Sequence, residues 1–432
     1  MTDDAIARLL AGTLPDPDGG PPLSVPVRSV VIEPSLAGHE ADLVRALDLG
    51  ATLAVVSDPR THAVLGERVV RALGSIASVI HVALPDAPHP DAPTAARIRQ
   101  ATASADALVA VGSGTINDLC KYAAARDFKP CAVFATAPSM NGYTSVNVAI
   151  TVEGHKKSLP AVAPAGVFMD LEVLAAAPRR MIRSGLGDSI CRCTAQADWL
   201  LAHLLLGTPY RSAPFVLLAA DEDALIAESG ALVAGDIAAV ARLARTLILS
   251  GFGMTICGGS QPASQGEHLI SHYIEMMHPP AWPGALHGEQ IGVSTLTMAR
   301  LQARILEGAR PRPRPTRIDR AGVLGHFGAR IGAACWAEFA AKALDGEAAE
   351  RLDQRLAAAW DRVRDAVAAV TRPVAQLEAA LTRAGAPTTP ADLGLAPAFY
   401  ADAVRHAREI RNRYTFLDLA GDAGRLDPAS LV

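Results

Sequence analysis

Short apolar runs alternate with segments of helical length over the first 150 residues or so, and this alternation restricts the fold more than any other feature. Five such runs predict strands, at residues 30–32, 53–56, 79–82, 108–111 and 132–135. They are almost wholly apolar, which is typical of strands buried on both faces of a parallel sheet. Helical segments lie between them, at 61–73, 94–104 and 115–126. The pattern predicts an α/β, Rossmann-like domain with helices on both faces of the sheet.

After about residue 170 the strand-like runs end and the chain reads as helical. Five long segments rich in Ala and Leu predict helices, at 171–184, 188–206, 236–250, 262–277 and 287–307. Gly308 suits a helix C-terminus, and the Pro-interrupted basic stretch 308–318 is typical of a solvated connector. We therefore predict an α/β domain over residues 1–170 and an all-helical domain over residues 171–432.

The charge balance and the N-terminus exclude several classes of protein. The chain carries 40 Lys and Arg against 44 Asp and Glu, which argues against nucleic acid or an anionic membrane as the partner. The acidic start Met1-Thr2-Asp3-Asp4 lacks the features of a signal peptide, and the apolar runs are interrupted, so we predict no membrane span. The six cysteines form no CxxC pair, which favours a reduced, cytoplasmic protein with buried, unreactive thiols.

A glycine-containing loop follows the fourth predicted strand and opens a helix. In the sequence Gly112-Ser113-Gly114-Thr115, two glycines allow close backbone approach to a ligand, and the helix N-terminus attracts phosphate. The third glycine of the dinucleotide fingerprint is absent, so a tight turn is an equal interpretation. Asp58 follows the strand at 53–56, where an acid either accepts the ribose hydroxyls of NAD or caps the next helix.

A set of potential metal ligands lies in the helical half. His268 and His272 are four residues apart, on one face of a helix, and His287 follows a Pro-rich turn. Asp188 ends the run Gly185-Leu186-Gly187-Asp188, which we interpret as a glycine-flanked helix start. One aspartate with histidines suits a divalent ion such as Zn²⁺. The alternative is a capping aspartate and unrelated surface histidines.

Taken in order, the motifs resemble the superfamily of dehydroquinate synthase, glycerol dehydrogenase and the iron-type alcohol dehydrogenases. Within it, the resemblance is greatest to the sn-glycerol-1-phosphate dehydrogenases. It is carried by residues 112–118, 136–145, 187–188, 266–272, 287–289 and 413–419, and it extends over roughly residues 25–420.

The resemblance implies a role for each matching residue. The metal ligands would be Asp188, His268 and His287, with the metal Zn²⁺ or Ni²⁺, and His272 and Asp188 would be the catalytic groups at the substrate. The positions matching the family's NAD or NADP contacts, with Asp58 added from its place after a strand, are Asp58, Gly112, Ser113, Gly114, Thr115, Asn117, Asp118, Thr136, Ser139 and Ser145. The family has Asp where this chain has Asn141, a substrate-binding position; Asn keeps an acceptor oxygen but loses the charge.

The implied reaction is hydride transfer between NAD(P) and a secondary alcohol, which interconverts dihydroxyacetone phosphate and sn-glycerol 1-phosphate. No residue is assigned to the phosphate; Lys156, Lys157 and Arg183 all lie in plausible segments. Three alternatives stay open: a dehydroquinate synthase-like cyclase, a dehydrogenase of the superfamily with another hydroxy substrate, and a protein that binds nucleotide and metal without catalysis. The resemblance also implies a homo-oligomer.

Overall fold

Six strands from the first 170 residues form one parallel sheet, as the alternation predicts. In the computed structural model, which describes residues 4–431, they are β1 Ser29–Glu33, β2 Thr52–Ser57, β3 Ser78–Ala83, β4 Ala107–Gly112, β5 Cys131–Ala135 and β8 Gly166–Asp170. Their order across the sheet is β1-β8-β5-β4-β2-β3, and every pairing is parallel. The fold class predicted from the sequence is therefore confirmed.

Three strands were not predicted. One is β8, which enters the sheet between β1 and β5. The others, β6 Asn147–Val152 and β7 His155–Pro160, form a separate two-stranded hairpin. Its turn residues Glu153 and Gly154 have φ of 52° and 81°, the left-handed pair that a tight hairpin turn requires. Of its strand residues only Val148, Ile150 and His155 are buried, so the hairpin lacks the continuous apolar run that predicted the strands of the sheet.

The strand order sets where the loops of the sheet meet. β4 lies between β2 and β5, with Val109 paired to both Val55 and Ala132. Because the three strands are parallel, the residues that follow them share the carboxyl edge of the sheet. Asp58, Ser113 and Thr136, which directly follow the three strands, therefore lie along that edge.

The chain divides into two compact units that exchange several segments. The first comprises Met1–Val152, Lys157–Ser189 and Ser212–Ser260; the second comprises Glu153–Lys156, Ile190–Arg211 and Gln261–Val432. The last strand ends at Asp170, so the strands do stop where the sequence indicates. The division into domains 1–170 and 171–432 stays a prediction. Helices after residue 170 also belong to the first unit.

The α-helices up to Cys257 that belong wholly or mainly to the first unit are Ala5–Leu10, Glu40–Arg45, Pro59–Thr61, Glu67–Leu73, Ala92–Ala101, Gly114–Arg126, Leu171–Ala175, Arg179–Ile190, Ala213–Val216, Ala219–Ala227, Ser229–Val233 and Ile237–Cys257. A π-helical turn, His62–Gly66, joins two of them. The α-helices of the second unit are Arg192–Leu206, Gly266–Met277, His287–Glu307, Arg320–Phe327, Ala329–Phe339, Gly346–Ala368, Val374–Arg383, Pro397–His406 and Phe416–Asp422. Short 3₁₀ turns lie at Gln261–Ala263, Ala391–Leu393, Ala407–Glu409 and Pro428–Ser430.

Each unit has its own apolar interior. One core lies against the sheet and includes Val55, Val109 and Phe134, all fully buried. The second unit buries a larger helical core around Leu269, Ile270 and Tyr400. The predicted connector 308–318 has no regular secondary structure, and the helix before it ends at Glu307 as predicted.

One helix among the described residues, Ile237–Cys257, is long and apolar enough to cross a membrane. The sequence prediction of no membrane span rested on apolar runs being too short, and this helix is longer than that argument allowed. However, 72% of its most apolar window is buried within the protein, as for the central helix of a folded unit. Ala244, Leu247 and Ile248 are completely buried in it. Its composition is explained by this interior position.

Candidate functional site

The glycine loop leads from β4 into the helix Gly114–Arg126, as predicted, with Ser113 as the N-cap residue. Both glycines permit close packing within the chain itself. A Cβ on Gly112 would lie 2.7 Å from the Cβ of Ile116, and one on Gly114 would lie 2.8 Å from Cγ of Met140. Neither glycine has a positive φ. The loop therefore places the first N–H groups of the helix, including that of Thr115, at the carboxyl edge of the sheet, where an anion binds favourably.

The residues that follow the loop hold β6 in place. Asn117 donates from Nδ2 to Oδ1 of Asp118 at 2.9 Å, and Asp118 accepts the backbone N–H of Ala149 through Oδ2 at 2.9 Å. Asn117 is completely buried. These two predicted cofactor contacts thus have a structural function, which anchors β6 to the helix.

Lys121, on the helix Gly114–Arg126, organises the segment 142–147. Its buried ammonium donates to the carbonyls of Gly142 (2.8 Å) and Asn147 (3.1 Å) and to Oγ of Ser145 (3.1 Å). Burial lowers the pKa of Lys121 to about 8. The hydroxyl of Ser145 lies within this network, and it donates to the Asn147 carbonyl at 2.7 Å. Thr136 and Ser139 are also buried at this edge, with 7% and 8% of their surface exposed.

Asp58 occupies the capping position that the sequence offered as its second interpretation. Its Oδ1 accepts the backbone N–H of Thr61 at 2.8 Å, and the Thr61 hydroxyl accepts the N–H of Asp58 at 3.1 Å. The pair forms a capping box on the short helix Pro59–Thr61. Its position at the carboxyl edge of the sheet is compatible with a second function toward a nucleotide ribose.

Asn141 and Asp188 are in contact within the first unit. The Asn141 backbone N–H donates to Oδ2 of Asp188 at 2.8 Å, and Nδ2 of Asn141 donates to the Asp188 carbonyl at 3.2 Å. Asn141 thus uses the NH₂ group that an aspartate lacks. Both side chains are buried, with 7% and 2% exposed.

The interpretation of residues 185–188 as a helix start is wrong. Gly185 and Asp188 lie near the end of the helix Arg179–Ile190. The glycine has a packing reason, because a Cβ at Gly185 would lie 1.7 Å from the carbonyl oxygen of Pro138. The close approach places Asp188 beside the segment that carries Asn141.

The second unit brings the three predicted histidines together. His268 and His272 lie on the helix Gly266–Met277, and His287 is the first residue of the helix His287–Glu307. The ring centroids of His268 and His287 are 5.2 Å apart, and that of His272 lies 6.1 Å and 6.0 Å from them. His268 and His272 are buried, while the His287 side chain is 30% exposed. The alternative of unrelated surface histidines is therefore wrong.

Glu267 is a functional candidate that the sequence analysis missed. Nδ1 of His268 donates to Oε1 of Glu267 at 2.9 Å, because a carboxylate can only accept. The proton on Nδ1 leaves the lone pair of Nε2 available to a metal, an arrangement common at protein metal sites. Glu267 is completely buried and also accepts the N–H of Gln265 and the hydroxyl of Thr194.

A second group of possible ligands shares His268. Cys191, Glu267 and His268 are all buried, and one ligand atom from each lies within 4.8 Å of the others. The Nδ1–Oε1 hydrogen bond accounts for the closeness of Glu267 and His268. Sγ of Cys191 is directed at the carbonyl of Ala263, at 3.8 Å, as suits a buried thiol. We assign this group to the support of His268.

His272 is held in one tautomer by an arginine from the C-terminal region. Nη2 of Arg411 lies 3.0 Å from Nδ1 of His272, and a guanidinium only donates, so Nδ1 accepts and Nε2 carries the proton. Burial, and then the charge of Arg411, hold the pKa of His272 well below its usual range. His272 is therefore a neutral hydrogen-bond donor.

Glu275, one turn beyond His272 on the same helix, links the histidines to Lys156. Its carboxylate lies 3.4 Å from Nζ of Lys156 and 3.5 Å from Nδ1 of His287. Burial opposes its ionisation, but Lys156 and His287 together lower the pKa of Glu275 to about 2. The carboxylate is charged at neutral pH and holds both neighbours in place.

Comparison with known proteins shows which family the sequence matches. Residues 31–178 match the family of iron-containing alcohol dehydrogenases. The glycerol-1-phosphate dehydrogenase (NAD(P)+) of Pyrococcus furiosus is 32% identical over 274 residues, which cover 63% of this chain and 78% of that protein. That of Bacillus licheniformis is 27% identical over 379 residues, 86% of this chain and 83% of its own.

Solved structures with the same fold are more distant in sequence. The glycerol dehydrogenase of Schizosaccharomyces pombe superposes with a TM-score of 0.63 at 15% identity, covering 94% of this chain and 87% of its own. A probable glycerol dehydrogenase of Sinorhizobium meliloti gives 0.60 at 17% identity, covering 94% and 98%. These structures establish the fold class.

Proposed function

Because the chain belongs to the glycerol-1-phosphate dehydrogenase family, we propose that it reduces dihydroxyacetone phosphate to sn-glycerol 1-phosphate with NADH or NADPH, or catalyses the reverse. A hydride adds to the carbonyl carbon and a proton to the carbonyl oxygen, so the cofactor is oxidised as the ketone is reduced. The observation that carries the proposal is the histidine cluster, in which His272 is fixed as a neutral donor beside His268 and His287.

We propose that Asp188, His268 and His287 hold one divalent ion, Zn²⁺ or Ni²⁺. The donor set fits, since a carboxylate and two imidazoles suit these ions and leave positions open. His268 is supported by Glu267, which fixes its tautomer, and His287 by Glu275. When bound, the ion would polarise the substrate carbonyl and the dinucleotide would supply the hydride.

His272 would position the substrate through the proton on Nε2. Arg411 occupies Nδ1, so the ring cannot take up a second proton there without losing this hydrogen bond. A neutral imidazole donates a hydrogen bond to an oxygen that gains negative charge, which favours the transition state over the ground state. A histidine at this position could pass on a proton or position the substrate, and this arrangement favours the second function.

The dinucleotide would lie along the carboxyl edge of the sheet. Support comes from the N-terminus of the helix Gly114–Arg126, where the N–H groups attract the pyrophosphate. We propose that Gly112, Ser113, Thr136 and Ser139 line it and that Asp58 contacts a ribose. All six cysteines are thiols and not disulfides, which supports a cytoplasmic location. We also propose a homo-oligomer, as the family resemblance implies.

The test is oxidation of NADH and NADPH by dihydroxyacetone phosphate, with chelator-treated protein reloaded with Zn²⁺ or Ni²⁺. We expect turnover that requires the metal and is lost in His268→Ala together with metal retention. Full activity of His268→Ala, or no turnover by protein that demonstrably binds both cofactor and metal, would contradict the proposal. Formation of a carbocyclic product without net NADH oxidation would instead indicate a cyclase.

A further inference from the structure

Two cationic side chains lie near His272 in the second unit, and neither is a proposed metal ligand. Arg411 contacts Nδ1 of His272 at 3.0 Å through Nη2. Lys156, on β7, lies 3.4 Å from Glu275, and its side chain is 11% exposed. The charges of both residues act on His272 and disfavour its protonation. Positive charge is therefore concentrated near the proposed substrate-binding histidine.

The described carboxylates near these two cations compensate their positive charge only in part. Among residues 4–431, Arg411 has no carboxylate within ion-pair distance, and its guanidinium contacts the neutral ring of His272. The nearby Arg413 adds a further positive charge and contacts the carbonyl of Ser264. The single carboxylate of Glu275 serves Lys156 and His287 together.

Burial makes this arrangement unfavourable until an anion is bound. It lowers the pKa of Arg411 to about 10, although Glu338 and Glu275 oppose the shift. A buried guanidinium is normally paired with an anion, because its desolvation otherwise has no compensation. A ligand anion beside His272 would supply that compensation.

We propose that Arg411 and Lys156 bind the phosphate group of the substrate. The inference rests on the proposed function, which requires a phosphomonoester dianion close to His272. A guanidinium fork binds two phosphate oxygens at once, and an ammonium adds a point charge. Of the three cations that the sequence left open, this selects Lys156. Lys157 follows it in the strand, so its side chain leaves the opposite face of the hairpin.

Arg411 could instead act only on the tautomer of His272, and kinetics can separate the two functions. A residue that binds phosphate affects KM for dihydroxyacetone phosphate and leaves unphosphorylated dihydroxyacetone unaffected. A residue that only positions His272 changes kcat for both substrates. Lys156 does not contact His272, so Lys156→Met gives the cleaner test.

We expect Lys156→Met to raise KM for dihydroxyacetone phosphate about 10- to 100-fold, the effect of one charged hydrogen bond. Its kcat/KM for dihydroxyacetone should fall by a much smaller factor, because that substrate carries no phosphate. Arg411→Met should raise the same KM at least as much, with Arg411→Lys recovering part of the loss. Lys157→Met and Arg405→Met, which alters an exposed ion pair, are the controls. Equal KM values in Lys156→Met and wild type would overturn the proposal.

A binding measurement makes this test independent of turnover. Inorganic phosphate is titrated into the metal-loaded protein, wild type and variants, by calorimetry. Weaker phosphate binding in both Lys156→Met and Arg411→Met, but not in the controls, would support the anion site even if dihydroxyacetone phosphate proved not to be the substrate. Unchanged phosphate binding in both variants would overturn the site while leaving the proposed reaction intact.

Discussion

Gly185→Ala is expected to damage both stability and the site, because the helix that carries Asp188 has no room for a methyl group there. The added Cβ would lie 1.7 Å from the carbonyl oxygen of Pro138, 2.9 Å from its carbon and 3.4 Å from Cδ2 of Leu243. An ordinary contact needs about 3.4 Å, so the helix or the loop must move by roughly 1.7 Å. The obstacle is backbone and cannot rotate away.

The cost can be bounded from two opposing terms. Overpacking of this kind typically destabilises by about 1–3 kcal/mol, and more where the clash is with backbone. Alanine in place of a helical glycine returns at most about 1 kcal/mol. We therefore expect a net loss of about 2 kcal/mol or more in the free energy of unfolding. The same displacement separates Asn141 from Asp188, which are joined at 2.8 Å, so metal retention should fall as well.

Urea unfolding followed by circular dichroism measures the first effect, and metal content after gel filtration measures the second. Gly325→Ala is the matched control, since Gly325 also lies within a helix but a Cβ there meets no atom within 4 Å. That variant should be as stable as wild type or more stable by up to about 1 kcal/mol. A Gly185→Ala protein with wild-type midpoint and metal content would refute the packing argument.

Three further predictions follow from the site and its surroundings. Glu267→Gln removes the carboxylate that fixes His268, so Zn²⁺ affinity measured by chelator competition should fall about 10- to 100-fold; unchanged affinity would show that Glu267 has no such function. Asn141→Asp loses the donor to the Asp188 carbonyl. Urea unfolding should therefore give a free energy of unfolding lower by about 1–2 kcal/mol, and a more stable variant would contradict this hydrogen bond. Cys257 is the one cysteine of the six that is not buried, and burial raises the pKa of Cys131 to about 12. Ellman's reagent at pH 8 should therefore modify about one thiol per native chain. Fast reaction of a second thiol would argue against this structure.

The sequence predicted best where a local pattern carries the information. Apolar runs of strand length, such as residues 108–111, identify buried strands because both faces must exclude water. The spacing of His268 and His272 identifies one face of a helix. His287 also begins a helix at the predicted residue.

Features that depend on tertiary contacts were out of reach. Glu267 and His268 are adjacent, and adjacent side chains on a helix ordinarily point apart, so no spacing rule indicates their hydrogen bond. Arg411 meets His272 across 139 positions of sequence. Gly185 suggested a helix start, but its cause is the backbone of Pro138, which no local pattern contains.

The exchange of segments between the two units has a consequence for synthesis on the ribosome. The chain passes from one unit to the other after residues 152, 156, 189, 211 and 260. The first unit therefore lacks its central helix, Ile237–Cys257, until residue 260 has emerged. By then the helix Arg192–Leu206 of the second unit has left the ribosome, while most of the second unit, Gln261–Val432, has not yet been translated. The strands of the sheet are all translated by Asp170, but the first unit as a whole stays incomplete until more than half of the chain has been made.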